Sequence, residues 1–193
     1  GAARATAIVR EATIDDAEQL ARVQTTTWQV AYRGMLPDDF LDLLDWRVRR
    51  DSWLAILGEG SELAGSTLVA ESAGSIIGFA VVGPPRDDDL ESSDPPVLEM
   101  YAIYVDPANW DHGVGSALWR SARARLEPTV AGVALWVLSD NAKARAYYQR
   151  MGFAPDGATR TEDIGGRTVA EVRYRWTATR APFRGEEGSE PYS

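Results

Sequence analysis

The residues most able to do chemistry are concentrated at 109–116, which read Asn-Trp-Asp-His-Gly-Val-Gly-Ser. Gly113 and Gly115 lie at the start of a predicted helix, and glycine lets the backbone approach a ligand without interference from a Cβ atom. The first N–H groups of a helix have no partner within it, and with the helix dipole they bind anions, most naturally phosphate. The sequence therefore predicts a phosphate site here. The alternative is a strand-to-helix turn without a ligand, which the two glycines also fit.

Two strands and two helices must position this stretch. The apolar strand Val97–Val105 leads into it and ends at Asp106-Pro107, because proline cannot donate to a strand ladder and restricts the residue before it. A helix is predicted from Val114 to about Leu126, followed by an apolar strand at 133–138. A second helix then begins after Asn141, a residue well suited to capping a helix.

Three motifs occur along these elements, at 105–107 (Val-Asp-Pro), 110–115 (Trp-Asp-His-Gly-Val-Gly) and 141–153 (Asn-Ala-Lys-Ala-Arg-Ala-Tyr-Tyr-Gln-Arg-Met-Gly-Phe). In them the chain resembles the GNAT family, the Gcn5-related N-acetyltransferases, over about Ile8 to Trp176. That family shows Val-x-Pro, Arg/Gln-x-x-Gly-x-Gly and Asn-x-x-Ala-x-x-x-Tyr-x-x-x-Gly-Phe in this order. Trp110 replaces the Arg or Gln, which removes a side-chain contact to pyrophosphate, and the following residue is an aspartate rather than the usual glycine.

The resemblance implies acetyl-coenzyme A as co-substrate, and it assigns the binding residues. The pyrophosphate loop corresponds to Asp111, His112, Gly113, Val114, Gly115 and Ser116. The pantetheine arm is expected along the backbone of Ile103, Tyr104 and Val105, with Asn141 beside it. Tyr148 matches the family's general acid, which gives a proton to the coenzyme A sulfur. The alternatives are that Asn141 only caps its helix and that Tyr148 only packs.

An amine acceptor also needs a base, because an ammonium with a pKa of about 10 has no lone pair. Glu99, just before the end of the central strand, is the first candidate, acting directly or through water; the alternative is a surface carboxylate on a solvated strand face. His112, the only histidine, favours a cofactor or solvent contact. In the family the first helices cap the acceptor site, so Trp28 and Tyr32 are candidate wall residues, with helix packing as the alternative.

These residues lead us to expect an acetyl-CoA-dependent N-acetyltransferase that transfers the acetyl group directly, in a ternary complex, to a primary amine of a small molecule or peptide. Tyr148 and Glu99 are the expected catalytic residues. One alternative is a non-catalytic acyl-CoA-binding or regulatory module on the same fold. Another is a folded interaction domain whose cleft is empty. Cofactor binding and turnover distinguish the three.

The amino-acid composition limits the classes of partner that the protein is expected to bind. The net charge of −9 argues against nucleic-acid binding, and the absence of cysteine excludes an acetyl-cysteine intermediate. No apolar run approaches the roughly 20 residues of a membrane helix, and the start of the sequence lacks a signal-peptide core, so we expect a cytoplasmic protein without membrane contact. The acidic stretch at 84–96 is predicted to be a solvated loop. It lacks the EF-hand pattern, so no metal is expected. A homodimer is possible, as is common in the family.

The remaining pattern predicts one α/β (α+β) domain at 8–176 and a disordered tail at 177–193. A short first strand is followed by three helical segments, from Thr13 to Gly34, from Met35 to Leu44 and at 46–57. Two hairpins follow, one turning at 72–75 and the other at Gly165-Gly166, with 168–176 alternating like a strand with one solvated face. The resemblance implies a mixed, mostly antiparallel sheet in which the parallel strands at about 97–105 and 133–138 splay apart around the cofactor.

Overall fold

A seven-stranded sheet organises the computed structural model, which describes residues 6–61, 63 and 65–179. Its strands are β1 (Ile8–Glu11), β2 (Thr67–Ser72), β3 (Ser75–Gly83), β4 (Val97–Val105), β5 (Gly132–Leu138), β6 (Ala154–Ile164) and β7 (Arg167–Thr177). The spatial order is β1-β2-β3-β4-β5-β7-β6, and only β4 and β5 run parallel. The predicted mixed, mostly antiparallel sheet flanked by helices is confirmed.

The helices are α1 (Ala17–Ala31), α2 (Asp38–Asp42), α3 (Trp46–Leu57), α4 (Asp88–Glu91), α5 (Val114–Leu126) and α6 (Ala142–Arg150). The predicted first helix begins with a 3₁₀ turn at Ile14–Asp16 before α1, and α2 is shorter than the predicted second segment. No described helix is both long and apolar enough to cross a bilayer. Thr177, predicted to open the tail, is the last residue of β7, and the tail beyond 179 lies outside the described residues.

Apolar residues pack on both faces of the sheet. On one face, α1 and α3 place Leu20 and Trp53 against Phe79 of β3. On the other, α5 packs across β1 to β4, with Leu118 over Gly78 of β3 and Trp119 against Trp176 of β7. This arrangement follows from the alternation of side chains along strands and the three- to four-residue spacing along helices.

The acidic stretch at 84–96, predicted to be a solvated loop, is exposed at most positions, but it contains α4, whose Leu90 is buried. Three of its charged residues, Arg86, Asp87 and Asp89, bind side chains of the sheet. Arg173 of β7 donates to Asp87 at 3.0 Å and, through two nitrogens, to Asp89 at 2.8 and 2.6 Å. The stretch therefore covers the face of β7 that carries Arg173.

The prediction that this face of β7 is solvated is therefore wrong. Glu171 and Arg173, on alternate positions of that face, are each only 6% exposed. Asp156 of β6 also accepts from Arg173, at 2.7 Å. Three carboxylates surround this guanidinium and raise its pKa, so it remains charged, and its burial is tolerated because every side of it is paired.

Replacing Arg173 should therefore destabilise the protein. We expect Arg173→Met to lower the free energy of unfolding by about 3 kcal/mol, because it leaves the carboxylates of Asp87 and Asp156, which are 17% and 15% exposed, without their counter-charge. In thermal unfolding this is a decrease in Tm of roughly 6 to 12 °C for a domain of this size. Arg33→Met is the matched control, since Arg33 pairs with Asp38 and Asp42 at the surface and should matter much less. Equal decreases in Tm for the two variants would contradict this account of the loop.

Candidate active site

The site is organised by a gap between two parallel strands. β4 and β5 are paired only from Val97 with Gly132 to Glu99 with Ala134, after which β4 has no partner on that side. β4 also has a bulge, since Val81 and Val82 of β3 pair with Ala102 and Met100 and leave Tyr101 unmatched. The splay that the resemblance implied is confirmed, and it leaves room for a ligand between the strands.

A cavity of about 180 Å³ occupies this gap. It is small compared with the roughly 300–1,000 Å³ of sites that enclose a drug-sized ligand, so it fits one end of a substrate. Aromatic and polar side chains dominate its lining, namely Tyr32, Arg86, Glu99, Tyr101, Tyr104, Trp136, Asn141, Tyr148, Arg160, Glu162 and Glu171. The cavity can therefore contact a cationic group and apolar atoms at the same time.

Helix α6 brings Asn141 and Tyr148 to this cavity. The Asn141 side chain accepts a hydrogen bond from the N–H of Ala144 at 3.1 Å, so the expected capping role is present. Two helical turns later Tyr148 reaches the cavity, and burial of its phenol raises its pKa well above the usual value. Tyr148 is therefore protonated at neutral pH, the form that a proton donor needs.

Tyr147, the neighbour of Tyr148 on α6, packs against the start of α5. Its ring packs directly over Gly115 at the start of α5, where an added Cβ would lie 1.6 Å from the Tyr147 hydroxyl oxygen. Burial raises the pKa of this phenol to about 12. Gly115 is thus required by close packing, whereas Gly113 is required by its backbone, which has a φ of +77°.

The predicted phosphate loop has a distinctive internal structure. Trp110 turns its indole back and donates to the carbonyl of Val105 at 2.7 Å, and His112 contacts the Trp110 carbonyl. Asp111 adopts a left-handed backbone with φ of +60°. The helical ladder of α5 starts when Ala117 donates to Gly113 at 3.0 Å, so the N–H groups of residues 114–116 precede it.

Two contacts of Trp110 bear on how a cofactor could bind. The Val105 carbonyl already accepts from Trp110, and from the Thr27 hydroxyl at 3.3 Å, so it is not free to pair with a pantetheine amide. Lys143, the only lysine in the chain, places its ammonium 4.1 Å from the centre of the Trp110 ring. A cation thus lies beside the loop at the position where the usual Arg or Gln is missing.

Glu99 lines the cavity, but it is not the solvated surface carboxylate that was the alternative interpretation. It is 1% exposed, and Arg86 holds it. The Arg86 side chain donates to Oε2 at 2.7 Å, and the Arg86 backbone N–H donates to Oε1 at 3.4 Å. Both oxygens are engaged, so Glu99 can take a proton only if this contact loosens.

A second buried carboxylate, Glu171, lines the same cavity and was missed by the sequence analysis. Its Oε2 accepts from Arg160 at 3.2 Å, while Oε1 accepts no hydrogen bond from an N–H or O–H group of the described residues. Burial is the main cause that raises the pKa of Glu171 to about 7; a hydrogen bond with the carboxyl of Glu162 raises it further, and Arg160 opposes the shift. A carboxyl titrating near neutrality in a cavity is typical of functional sites.

Of the two predicted wall residues, Tyr32 lines the cavity and Trp28 supports it. Their rings pack edge to face at 5.0 Å between centroids. Desolvation raises the pKa of both Tyr32 and Tyr104, whose hydroxyls interact with one another. The Trp28 indole nitrogen is buried and lies near the Tyr104 hydroxyl.

The structure thus brings Tyr32, Glu99, Tyr104, Asn141 and Tyr148 to one cavity. The loop at 111–116 lies apart from it, at the start of α5. Ile103 is buried within the core and Val105 is engaged by Trp110.

The sequence of this chain is similar to that of known acetyltransferases. The family model described as Acetyltransferase (GNAT) family matches residues 21–153. A Bacillus subtilis (strain 168) protein, the uncharacterised N-acetyltransferase YuaI, is 29% identical over 170 residues, which cover 87% of this chain and 91% of the relative.

Two solved structures show the same fold. The PaiA N-acetyltransferase from Thermoplasma acidophilum, in complex with coenzyme A, aligns with a TM-score of 0.67 and 17% identity, covering 89% of this chain and 99% of the other. The putative acetyltransferase yncA from Salmonella typhimurium, with its cofactor acetyl-CoA, aligns with a TM-score of 0.65 and 19% identity, covering 91% and 95%. Taken with the family model and the splayed strands, these findings identify the chain as an acyltransferase belonging to the GNAT acetyltransferase family.

Proposed function

We propose that this protein transfers an acetyl group from acetyl-CoA directly to a primary amine in a ternary complex. The observation that carries the proposal is the gap between β4 and β5, because one cavity there contains a protonated phenol and buried carboxylates. Direct transfer needs both kinds of group at once. The acceptor is a small molecule or the amine-bearing end of a peptide, since the cavity measures about 180 Å³.

The start of α5 fits the pyrophosphate of acetyl-CoA. Its N–H groups at 114–116 precede the helical ladder, and Gly113 provides the turn that exposes them. Lys143 supplies positive charge beside Trp110, which offsets the carboxylate of Asp111. Tyr147, over Gly115, places a phenol hydroxyl against the same turn. The two solved relatives with coenzyme A or acetyl-CoA support this use of the fold.

In the reaction the amine nitrogen attacks the thioester carbon, the C–S bond breaks, and the sulfur leaves as a thiolate. Tyr148 donates its phenolic proton to that sulfur. Glu99, the base expected from the sequence, faces the same cavity, but it can take the amine proton, directly or through water, only after Arg86 releases it. Tyr32 and Tyr104, whose hydroxyls interact with one another, line the cavity and limit access of water, which protects the thioester from hydrolysis.

The second candidate is a non-catalytic acyl-CoA-binding module. Two contacts favour it, namely the Trp110 indole bound to the Val105 carbonyl and the Arg86 guanidinium bound to Glu99. Both fill positions that transfer would use. Binding of acetyl-CoA without turnover toward any amine would select this candidate.

Tyr148→Phe should lower kcat about 100-fold, because a general acid typically contributes 10²- to 10⁴-fold to a rate. The Kd for acetyl-CoA should stay within about twofold, since the phenol acts on the departing sulfur. Thiol release measures the first quantity and calorimetric titration the second. A variant that turns over as fast as the wild-type protein would remove Tyr148 from the mechanism.

Acetyl-CoA should stabilise the protein. At 100 times its Kd, a ligand bound only to the native state adds about 2.7 kcal/mol, which raises Tm by several degrees in a domain of this size. No shift at millimolar acetyl-CoA would contradict cofactor binding.

Lys143→Met should raise the Kd for acetyl-CoA about 5- to 10-fold, because it removes the cation beside the loop, and the loss should shrink at high salt. Lys143→Arg keeps the charge and is the matched control. The kcat at saturating acetyl-CoA should be the same in both variants. Equal Kd values for the two variants would show that Lys143 does not contact the cofactor phosphates.

A further inference from the structure

The starting observation is a buried carboxylate oxygen. Glu171 is 6% exposed, and its Oε1 accepts no hydrogen bond from an N–H or O–H group of the described residues, while the carboxyl of Glu162 lies close enough to share a proton with the Glu171 carboxyl. A buried carboxylate oxygen without a donor is costly, and in a native protein such an atom usually meets a water or a ligand. Because Glu171 lines the cavity, a ligand can reach this oxygen.

The charges around the cavity do not balance. Its lining contains three carboxylates, Glu99, Glu162 and Glu171, and two guanidinium groups, Arg86 and Arg160. Arg86 pairs with Glu99, whereas Arg160 is shared between Glu171 at 3.2 Å and Glu162 at 3.8 Å. One negative charge remains uncompensated on the wall formed by β6 and β7, and a proton or a cationic ligand would balance it.

Arg160 makes two contacts on this wall. The Arg160 guanidinium lies 4.2 Å from the centre of the Trp136 ring while it holds Oε2 of Glu171. This double contact fixes the carboxylate and leaves Oε1 as the oxygen available to a ligand. The electrostatic field of Glu171 reaches the phenols of Tyr32 and Tyr104, and Tyr148 acts on the same two groups. The carboxylate and the expected acid therefore face a common space.

We propose that Oε1 of Glu171 binds the ammonium group of the acceptor and receives its proton, and that the acceptor is a small primary amine without an adjacent carboxylate. The inference rests on the proposed acetyl transfer and deepens it. An ammonium supplies the missing positive charge, whereas a carboxylate next to it would be repelled by Glu162 and Glu171. Glu99, held by Arg86, then shapes the opposite wall.

The proton balance is complete. One N–H bond of the ammonium breaks and an O–H bond forms on Glu171, which frees the nitrogen lone pair. The nitrogen then bonds to the acetyl carbon and the C–S bond breaks. The sulfur gains the Tyr148 proton, and the second proton lost by nitrogen restores the phenol. Glu171 returns its own proton to water, so the products are the amide, the free thiol and one proton.

The acid-base properties of the site support this assignment, since a base works best when its pKa lies near the working pH. Burial raises the pKa of Glu171 to about 7. The charged and titratable groups that face it are Arg160 and Glu162 of β6, Tyr32 after α1, Tyr104 of β4, and Glu99 with Arg86 across the cavity.

The test is the pH profile of kcat/KM for wild-type protein and Glu171→Gln, with acetyl-CoA and tyramine or hexylamine as probes. With Glu171 as base, the wild-type profile rises to about pH 7 and then levels off. Glu171→Gln should lower kcat/KM about 100-fold at pH 7.5, and its profile should rise about tenfold per pH unit to pH 9, because only neutral amine then reacts. Wild-type protein should acetylate tyramine at least tenfold faster than tyrosine, which differs by its carboxylate.

Glu18→Gln is the control, because Glu18 is half exposed, pairs with Arg22 on α1 outside the cavity lining, and should leave the plateau in place. A Glu171→Gln variant that keeps the plateau and at least a third of the activity would overturn the role of Glu171 while leaving acetyl transfer standing. Equal rates for tyramine and tyrosine would overturn the substrate class. Failure of wild-type protein to acetylate any amine, with acetyl-CoA still bound, would overturn the proposed function as well.

Thermal unfolding at different pH values gives a readout without turnover. A carboxyl whose pKa is raised by folding, here from 4.5 to about 7, binds its proton more tightly in the native state, so stability falls as pH rises between those values. Glu171→Gln should remove this fall in Tm between pH 5 and pH 8. Asp16 and Asp89, whose pKa values are lowered by arginine partners, titrate below this window. An unchanged fall in the variant would show that Glu171 is not the buried titrating group.

Discussion

The parting of β4 from β5 after only three paired positions is the constraint on which the rest of the structure depends. Each strand keeps a partner on its other side, since β4 is paired with β3 and β5 is paired along its whole length with β7. The sheet therefore remains continuous while a gap opens within it. Because α5 leads from β4 to β5 and α6 follows β5, the gap also determines where the phosphate loop and Tyr148 lie.

The face of the sheet beyond this gap is covered by charged residues rather than by an apolar helix. Arg173 is enclosed by Asp87 and Asp89 of the acidic stretch and by Asp156 of β6. Arg86, which also belongs to the acidic stretch, pairs with Glu99 of β4. Buried charges are tolerated when each has its counter-charge, and removing one partner leaves the other exposed to the full cost of desolvation. Glu171 is the carboxylate for which this compensation is incomplete. That local deficit, in a cavity beside a protonated phenol, is the physical origin of the proposed preference for a cation.

The loop before α5 reaches its shape by interactions that differ from the common family pattern. The Trp110 indole closes it onto the Val105 carbonyl, Lys143 lies on the indole face, and Tyr147 packs on Gly115. The tryptophan thus serves the loop's conformation, while the lysine provides the positive charge that an arginine would bring. The two buried carboxylates of the cavity also differ in their neighbours. Glu99 is neutralised by Arg86, whereas Oε1 of Glu171 is available to a ligand.

The sequence by itself determined what depends on local order. Strand and helix periodicity, the turns at Gly74 and Gly165-Gly166, and the spacing from Asn141 to Tyr148 predicted the elements, their order and the family. Glu99 was found because it precedes the end of a central strand. The burial of Glu171 and Arg173 was not predicted from the sequence. Charged residues alternate with apolar ones in the same way whether the strand face that carries them is solvated or is covered by a distant segment. Only the tertiary structure brought Asp87 and Asp89 to that face, more than 80 residues away in the chain, and burial by distant residues is what changes a carboxylate's protonation.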